Sequence, residues 1–207
     1  MSEQRSRAEQ REETRRALLA EGRRRFARHG YGSVVLAEVA AATGVTKGAA
    51  YHHFGSKAGL FRAVLEQVQQ EVAEQVVSAA EAHRDPWQQL TAGCRAFLTA
   101  GSDPEVRRVM LIDGPAVLGW NEWRRMDEGA SARHLEEALT VLVEAGIIPR
   151  QPVTPLARLL SGAMNEAALW LAQPDGTGDG TGADVEAEAE AEAALVRLLE
   201  GLRHGAA

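Results

Sequence analysis

A chain with a single cysteine, Cys94, in 207 residues closes no disulfide within itself, so packing alone must hold it together. Cys94 stands among Leu90, Phe97 and Leu98 at helical spacing, which reads as a buried small apolar residue rather than a redox sensor. Aromatic residues make up 5% of the chain, and no apolar run reaches the length of about 18 residues that a bilayer demands. An export leader is not apparent either, because the amino-terminal stretch mixes arginine with glutamate. The expectation is therefore a cytoplasmic chain. Long alternating strand patterns are missing while helix formers abound, so the fold class expected is all-α.

Catalytic patterns are equally scarce. No paired carboxylates share a helical face, no Ser-His or Cys-His partners stand at a recognisable spacing, and the Gly-Thr repeat at 176–182 lacks the strand and lysine of a phosphate loop. His52 and His53 are adjacent, so on a helix they point about 100° apart, and no acid or cysteine joins them at ligand spacing. Neither an enzyme, a metal site nor a cofactor is expected.

What is present is a sharp division of charge. The formal net charge is −6, yet residues 1–62 hold twelve Lys and Arg against six acids, leaving −12 for the remainder. A basic amino-terminal segment suits a polyanion, while the acidic remainder favours solubility.

Within the basic segment, Leu36, Val39 and Ala40 recur on one helical face, Thr43-Gly44 follow, and Val45 re-enters the core. The corner at Gly44 needs φ > 0, which glycine adopts without a Cβ penalty. Thr46 then caps a second helix by accepting from a backbone N–H near Ala49. This is the spacing of a helix-turn-helix, with the second helix in the DNA major groove. By reach, Lys47, Tyr51 and Lys57 are assigned to phosphate, and Thr46, Gly48, Ala49 and His52 to base edges. Ser56 caps the next helix, its free N–H groups aimed at phosphate.

Gly30-Tyr31, Val39-Ala40, Gly44-Val45-Thr46-Lys47-Gly48, Tyr51-His52-His53-Phe54 and Ser56-Lys57 fall at fixed offsets, and over about residues 10–65 the chain resembles the TetR family of transcriptional regulators. Three departures stand beside the match. Val35 replaces the usual capping Ser or Thr, leaving Ser33 as a substitute cap for the following helix. Ala50 replaces a branched apolar residue, and Arg23 and Arg25 stand where leucine is common. Ahead of the module, residues 1–14 form a basic arm, either a solvated segment, the reading favoured by its interleaved acids, or a minor-groove reader.

The chain divides, on this reading, into the arm, a DNA-binding domain at 15–62 and a C-terminal ligand-binding and dimerisation domain at 63–207. Helices are expected at 56–80, 86–100, 103–113, 117–145 and 154–171, with a break at Gly114-Pro115, a linker at 174–182 and a last helix at 183–202. The apolar set Val185, Ala189, Leu195, Val196, Leu199 and Leu202 gives that last helix one face. The helix from Thr154 is apolar nearly all round, which fits core on one side and a partner on the other.

The resemblance implies a homodimer joined through its last two helices and a sensor cavity in the middle helices. Apolar and aromatic candidates for that cavity are Phe97, Met110, Trp120, Trp123, Met126 and Trp170, with Leu111 and Leu139 beside them. Asp113 and Asn165 are candidate polar anchors, with Asn121 and Glu166 in reserve. It further implies a repressor whose recognition helices sit about 34 Å apart on a pseudo-palindromic operator, released when a small apolar or aromatic molecule binds and the 56–80 helix moves. The rival expectation is a DNA-binding regulator or architectural protein with no inducer.

Overall fold

The computed structural model describes residues 2–171 and 183–204, so the linker expected at 174–182 lies outside the described residues. Among the described residues every regular element is helical: α1 (Ser2–Ser33), α2 (Leu36–Ala42), α3 (Lys47–Phe54), α4 (Lys57–Glu81), α5 (Pro86–Ser102), α6 (Pro104–Arg107), a π-helical turn (Arg108–Asp113), α7 (Gly114–Leu118), α8 (Trp120–Glu128), α9 (Ser131–Glu144), α10 (Val153–Trp170) and α11 (Ala183–His204). The all-α fold expected from composition is the one observed. No helix among these residues is long and apolar enough to cross a membrane.

The chain forms two compact units, Met1–Val68 with Arg108–Trp123, and Gln69–Arg107 with Arg124–Ala207. Helix α4 gives its first half to one and its second half to the other.

In the first unit, α1 is interrupted at Gly30, and α2 packs between α1 and α3. Its core is built from Leu18, Phe26, Leu36, Val39, Leu60 and Phe61, all at most 3% exposed. The Phe61 ring meets Phe26 edge-on at 5.1 Å and Tyr31 at 5.3 Å between centroids, geometries that add roughly 1 kcal/mol each to simple burial. Ala50 is fully buried, so even without a branched side chain α3 keeps its inward anchor. Arg25 settles against Glu21 at 2.6 Å instead of a leucine-lined contact, and the two neighbouring arginines hold the Glu21 carboxyl below its ordinary pKa, through their hydrogen bonds first.

In the second unit, α5, α9 and α10 pack on one another, and α11 lies against α5. Asp85 caps α5 by accepting from the Gln88 N–H at 2.9 Å, with Pro86 preset in the first turn. The core includes Leu90, Leu98, Leu139, Leu142, Ala168 and Leu199. Cys94 is buried within it, and burial pushes its thiol pKa up to about 12, which leaves no reactive thiolate at neutral pH.

Several boundaries differ from the sequence expectation. Ser33 does not cap α2: Val35 occupies the N-cap and no side chain bonds there, because Ser33 is still in the last turn of α1. Gly114-Pro115 opens α7 instead of interrupting a helix, since proline in a first turn sacrifices no intrahelical bond. The single helix expected at 117–145 is broken at Gly119, whose φ is +80°, and again at Gly129-Ala130. Helix α10 starts one residue before Thr154, with Pro152 at the N-cap position and no side chain bonding there, because the Thr154 hydroxyl bonds Glu136 at 2.5 Å.

Candidate nucleic-acid interface and cavity

The α2–α3 corner carries the geometry expected of it. Gly44 has φ +69°, and the Val45 N–H returns to the Ala40 carbonyl at 2.9 Å, which closes α2 and aims the chain into α3. Thr46 caps α3, its hydroxyl accepting from Ala49 N–H at 3.2 Å. With Ala50 anchored inward, Thr46, Lys47, Gly48, Tyr51 and His52 are exposed and Ala49 is half-buried. The Lys47 ammonium lies 5.8 Å from the Tyr51 ring centroid. Six of the seven residues assigned to DNA from sequence therefore belong to α3 or its cap.

Lys57 is the seventh and stands apart. Its ammonium donates to the Tyr31 carbonyl at 3.0 Å and lies 4.2 Å from the Tyr31 ring centroid, so part of its charge fastens the end of α1 to the start of α4. Ser56 caps that start through Gly59 N–H at 3.0 Å. His53 is half-buried, and burial first, then Arg11, His52 and Arg15, lowers its pKa. Arg15 also stacks over Phe54 at 5.1 Å. Residues Arg11 and Arg15 of α1 thus flank the carboxyl end of α3 and enlarge the positive surface around it.

The second unit carries a cavity of about 320 Å³, open on one side to solvent, at the lower end of ligand-sized pockets. Its walls come from the second half of α4 (Val76, Ala80), from α5 (Leu90, Gly93, Phe97), from α8 and α9 (Asp127, Ser131, Leu135) and from α10 (Ser161, Met164). Asp127 is buried. Its carboxylate takes Arg124 at 3.0 Å, and the same guanidinium nitrogen reaches the Ser161 hydroxyl at 3.1 Å. Desolvation raises the Asp127 pKa to about 6 against the opposing pull of Arg124.

Of the sensor candidates read from sequence, the structure places Phe97 on this wall and disperses the others. Trp123 donates its indole N–H to the Met110 carbonyl at 2.7 Å in the first unit, with Trp120 mostly exposed against it. Asp113 accepts the Tyr31 N–H at 2.8 Å, also in the first unit. Met126 is half-buried, Asn165 is buried in α10, and Trp170 is 45% exposed. Sequence reasoning passed over Asp127, Ser131 and Ser161. A signal existed: Asp127 and Ser131 precede Leu135 and Leu139 at intervals of four, two polar residues in register with an apolar helical stripe.

Asp113 has its own consequence. Replacing it with alanine leaves the part-buried Tyr31 N–H without its acceptor, a cost of about 1–2 kcal/mol. Urea unfolding of D113A should show that loss in the first unit, and an unchanged midpoint would mean that solvent replaces the carboxylate.

Residues 18–64 match the family described as bacterial regulatory proteins, tetR family, and residues 87–202 match that of the tetracyclin repressor-like C-terminal domain. A TetR-family transcriptional regulator from Pectobacterium atrosepticum is 33% identical and superimposes with a TM-score of 0.76 over 94% of this chain and 96% of its own. RolR, solved in complex with resorcinol, has the same fold at 18% identity, with a TM-score of 0.69 over 92% of this chain and 89% of its own. The HTH-type transcriptional repressor AcnR of Corynebacterium glutamicum is 40% identical over 63 residues, which span 30% of this chain and 34% of the repressor. The match to that curated relative thus covers about a third of its length. With a capped, exposed α3 behind a glycine corner and both halves of the chain matched, the protein belongs to the TetR family of transcriptional regulators.

Proposed function

We propose that the protein is a homodimeric repressor that holds a pseudo-palindromic operator through α3 and releases it when a small molecule occupies the cavity of the second unit. The observation that carries the DNA half is the run Thr46, Lys47, Gly48, Tyr51 and His52, exposed on a helix anchored by buried Ala50. Lys47, Tyr51 and Lys57 would meet phosphate, while Thr46, Gly48, Ala49 and His52 would face base edges. AcnR is named a repressor, which supports repression. Such a regulator works where the chromosome is, in the cytoplasm.

Dimerisation is supported by α10 and α11. Leu159 is 73% exposed, and it shares its outward α10 face with Gly162, Ala163 and Trp170, while α11 exposes Leu198 at 59%. Apolar surface of this kind is stabilised by a second copy. The α11 face read from sequence turns Leu195 and Leu199 into the core of the second unit, so the exposed strip runs through Leu198 instead, and the side chain of Val185 lies outside the described ones.

Release is supported by the cavity and by α4, whose residues from Val76 line it and whose Lys57 holds Tyr31. A ligand shifts the operator equilibrium only by the free energy with which it prefers the released arrangement. Removing Lys47 tests the phosphate assignment: K47A should weaken binding to all duplexes alike and lower the slope of log affinity against log salt by about 1. A loss confined to one duplex sequence would reassign Lys47 to base readout. Equal affinity of the unaltered chain for specific and random duplex would instead favour an architectural role.

A further inference from the structure

We propose that the cavity of the second unit is built for a largely apolar amine, its aliphatic or aromatic body against Leu90, Phe97 and Met164 and its ammonium on Asp127. The inference rests on the preceding reading for its effect on operator binding, and on the cavity itself for the ligand class.

Size comes first. About 320 Å³ holds the volume of roughly ten waters, enough for one ring and a short chain. Charge then narrows the choice. Among the described residues three carboxylates line the cavity, Glu81, Asp127 and Glu137, and no lysine or arginine does. Glu81 and Glu137 are exposed, whereas Asp127 is 5% exposed and forms the buried polar end together with Ser131 and Ser161.

A carboxylate ligand would have to bring its charge toward these acids with no cation on the wall to receive it. A wholly apolar ligand would dehydrate Asp127 further and return nothing. An ammonium gives Asp127 a charge-assisted hydrogen bond, about twice as strong as a neutral one. Room for it exists, because an ionised carboxylate offers about four acceptor positions and Arg124 and Ser161 do not fill them. Arg124 and Arg133 stand behind Asp127 and Glu137, so they moderate the negative field without lining the cavity. His134, half-buried on the wall, is held by Glu137 at 3.3 Å.

The test compares three probes of one skeleton, 4-phenylbutylamine, 4-phenylbutan-1-ol and 4-phenylbutanoate, by calorimetry on the full chain at neutral pH. The amine should bind about tenfold or more tighter than the alcohol, which is about 1.4 kcal/mol, and the carboxylate weakest. D127N should erase the preference of amine over alcohol while the alcohol still binds. Because D127N leaves Arg124 without its charged partner and can fail to fold, A138F, which fills the cavity and leaves Asp127 in place, should abolish binding of all three. A carboxylate that binds as well as the amine, an unchanged preference in D127N, or no binding at all would overturn the proposal. An amine that binds but leaves operator occupancy unchanged upholds the ligand class and refutes the release reading. A carboxylate that binds and frees the operator does the reverse.

Discussion

Substituting alanine for Gly59 is expected to cost the first unit about 3 kcal/mol, near the upper end of overpacking effects, and to remove operator binding with it. A Cβ built at this position would overlap the Phe54 carbonyl oxygen and fall 3.1 Å from its carbon. Both are backbone atoms at the carboxyl end of α3, so no side-chain rotation relieves the clash. The corner between α3 and α4 would have to open, and the cap from Ser56 to the Gly59 N–H would open with it. Heating G59A while monitoring the first unit should show its transition lowered, with operator affinity lost in parallel. Unaltered stability would show that the corner yields more readily than its short contacts imply.

The opposite dissociation is expected at Gly48. It lies inside α3, exposed, with nothing within 4 Å of an added Cβ. Alanine there should stabilise the helix by roughly 0.5–1 kcal/mol through reduced backbone entropy. If α3 lies in the groove with its backbone close to bases, the same methyl should lower specific affinity by about tenfold, or about 1.4 kcal/mol. Urea unfolding and duplex titration of one preparation read both effects. A G48A chain that is more stable and binds equally well would place α3 elsewhere.

The first unit was legible because a helix-turn-helix ties residue type to offset. Only glycine suits the positive φ at Gly44, and only a short oxygen-bearing side chain at Thr46 reaches the Ala49 N–H. What escaped was contact between segments far apart in sequence. Asp113 reads as a polar anchor for a ligand until the fold sets it on Tyr31 N–H, 82 positions away. Lys57 reads as a phosphate contact, and spacing did not disclose that its ammonium also donates to a carbonyl 26 positions earlier.

The cavity was the least legible part. Tryptophan and methionine at helical spacing suit a core as well as a pocket, and Trp123 with Met110 is an internal hydrogen-bonded pair. Only Phe97 among the candidates reached the cavity wall. The groups that give it chemical character are short and polar, and Asp127 is distinguished by burial, which spacing alone does not disclose.

Selection of bound duplexes from a random pool tests the central claim most directly. The account predicts enrichment of an inverted repeat whose half-site centres lie about 34 Å apart, one turn of DNA, with one or two base positions relaxed when the pool is selected with H52A. Pools that stay random, or an enriched motif indifferent to every substitution in α3, would contradict it.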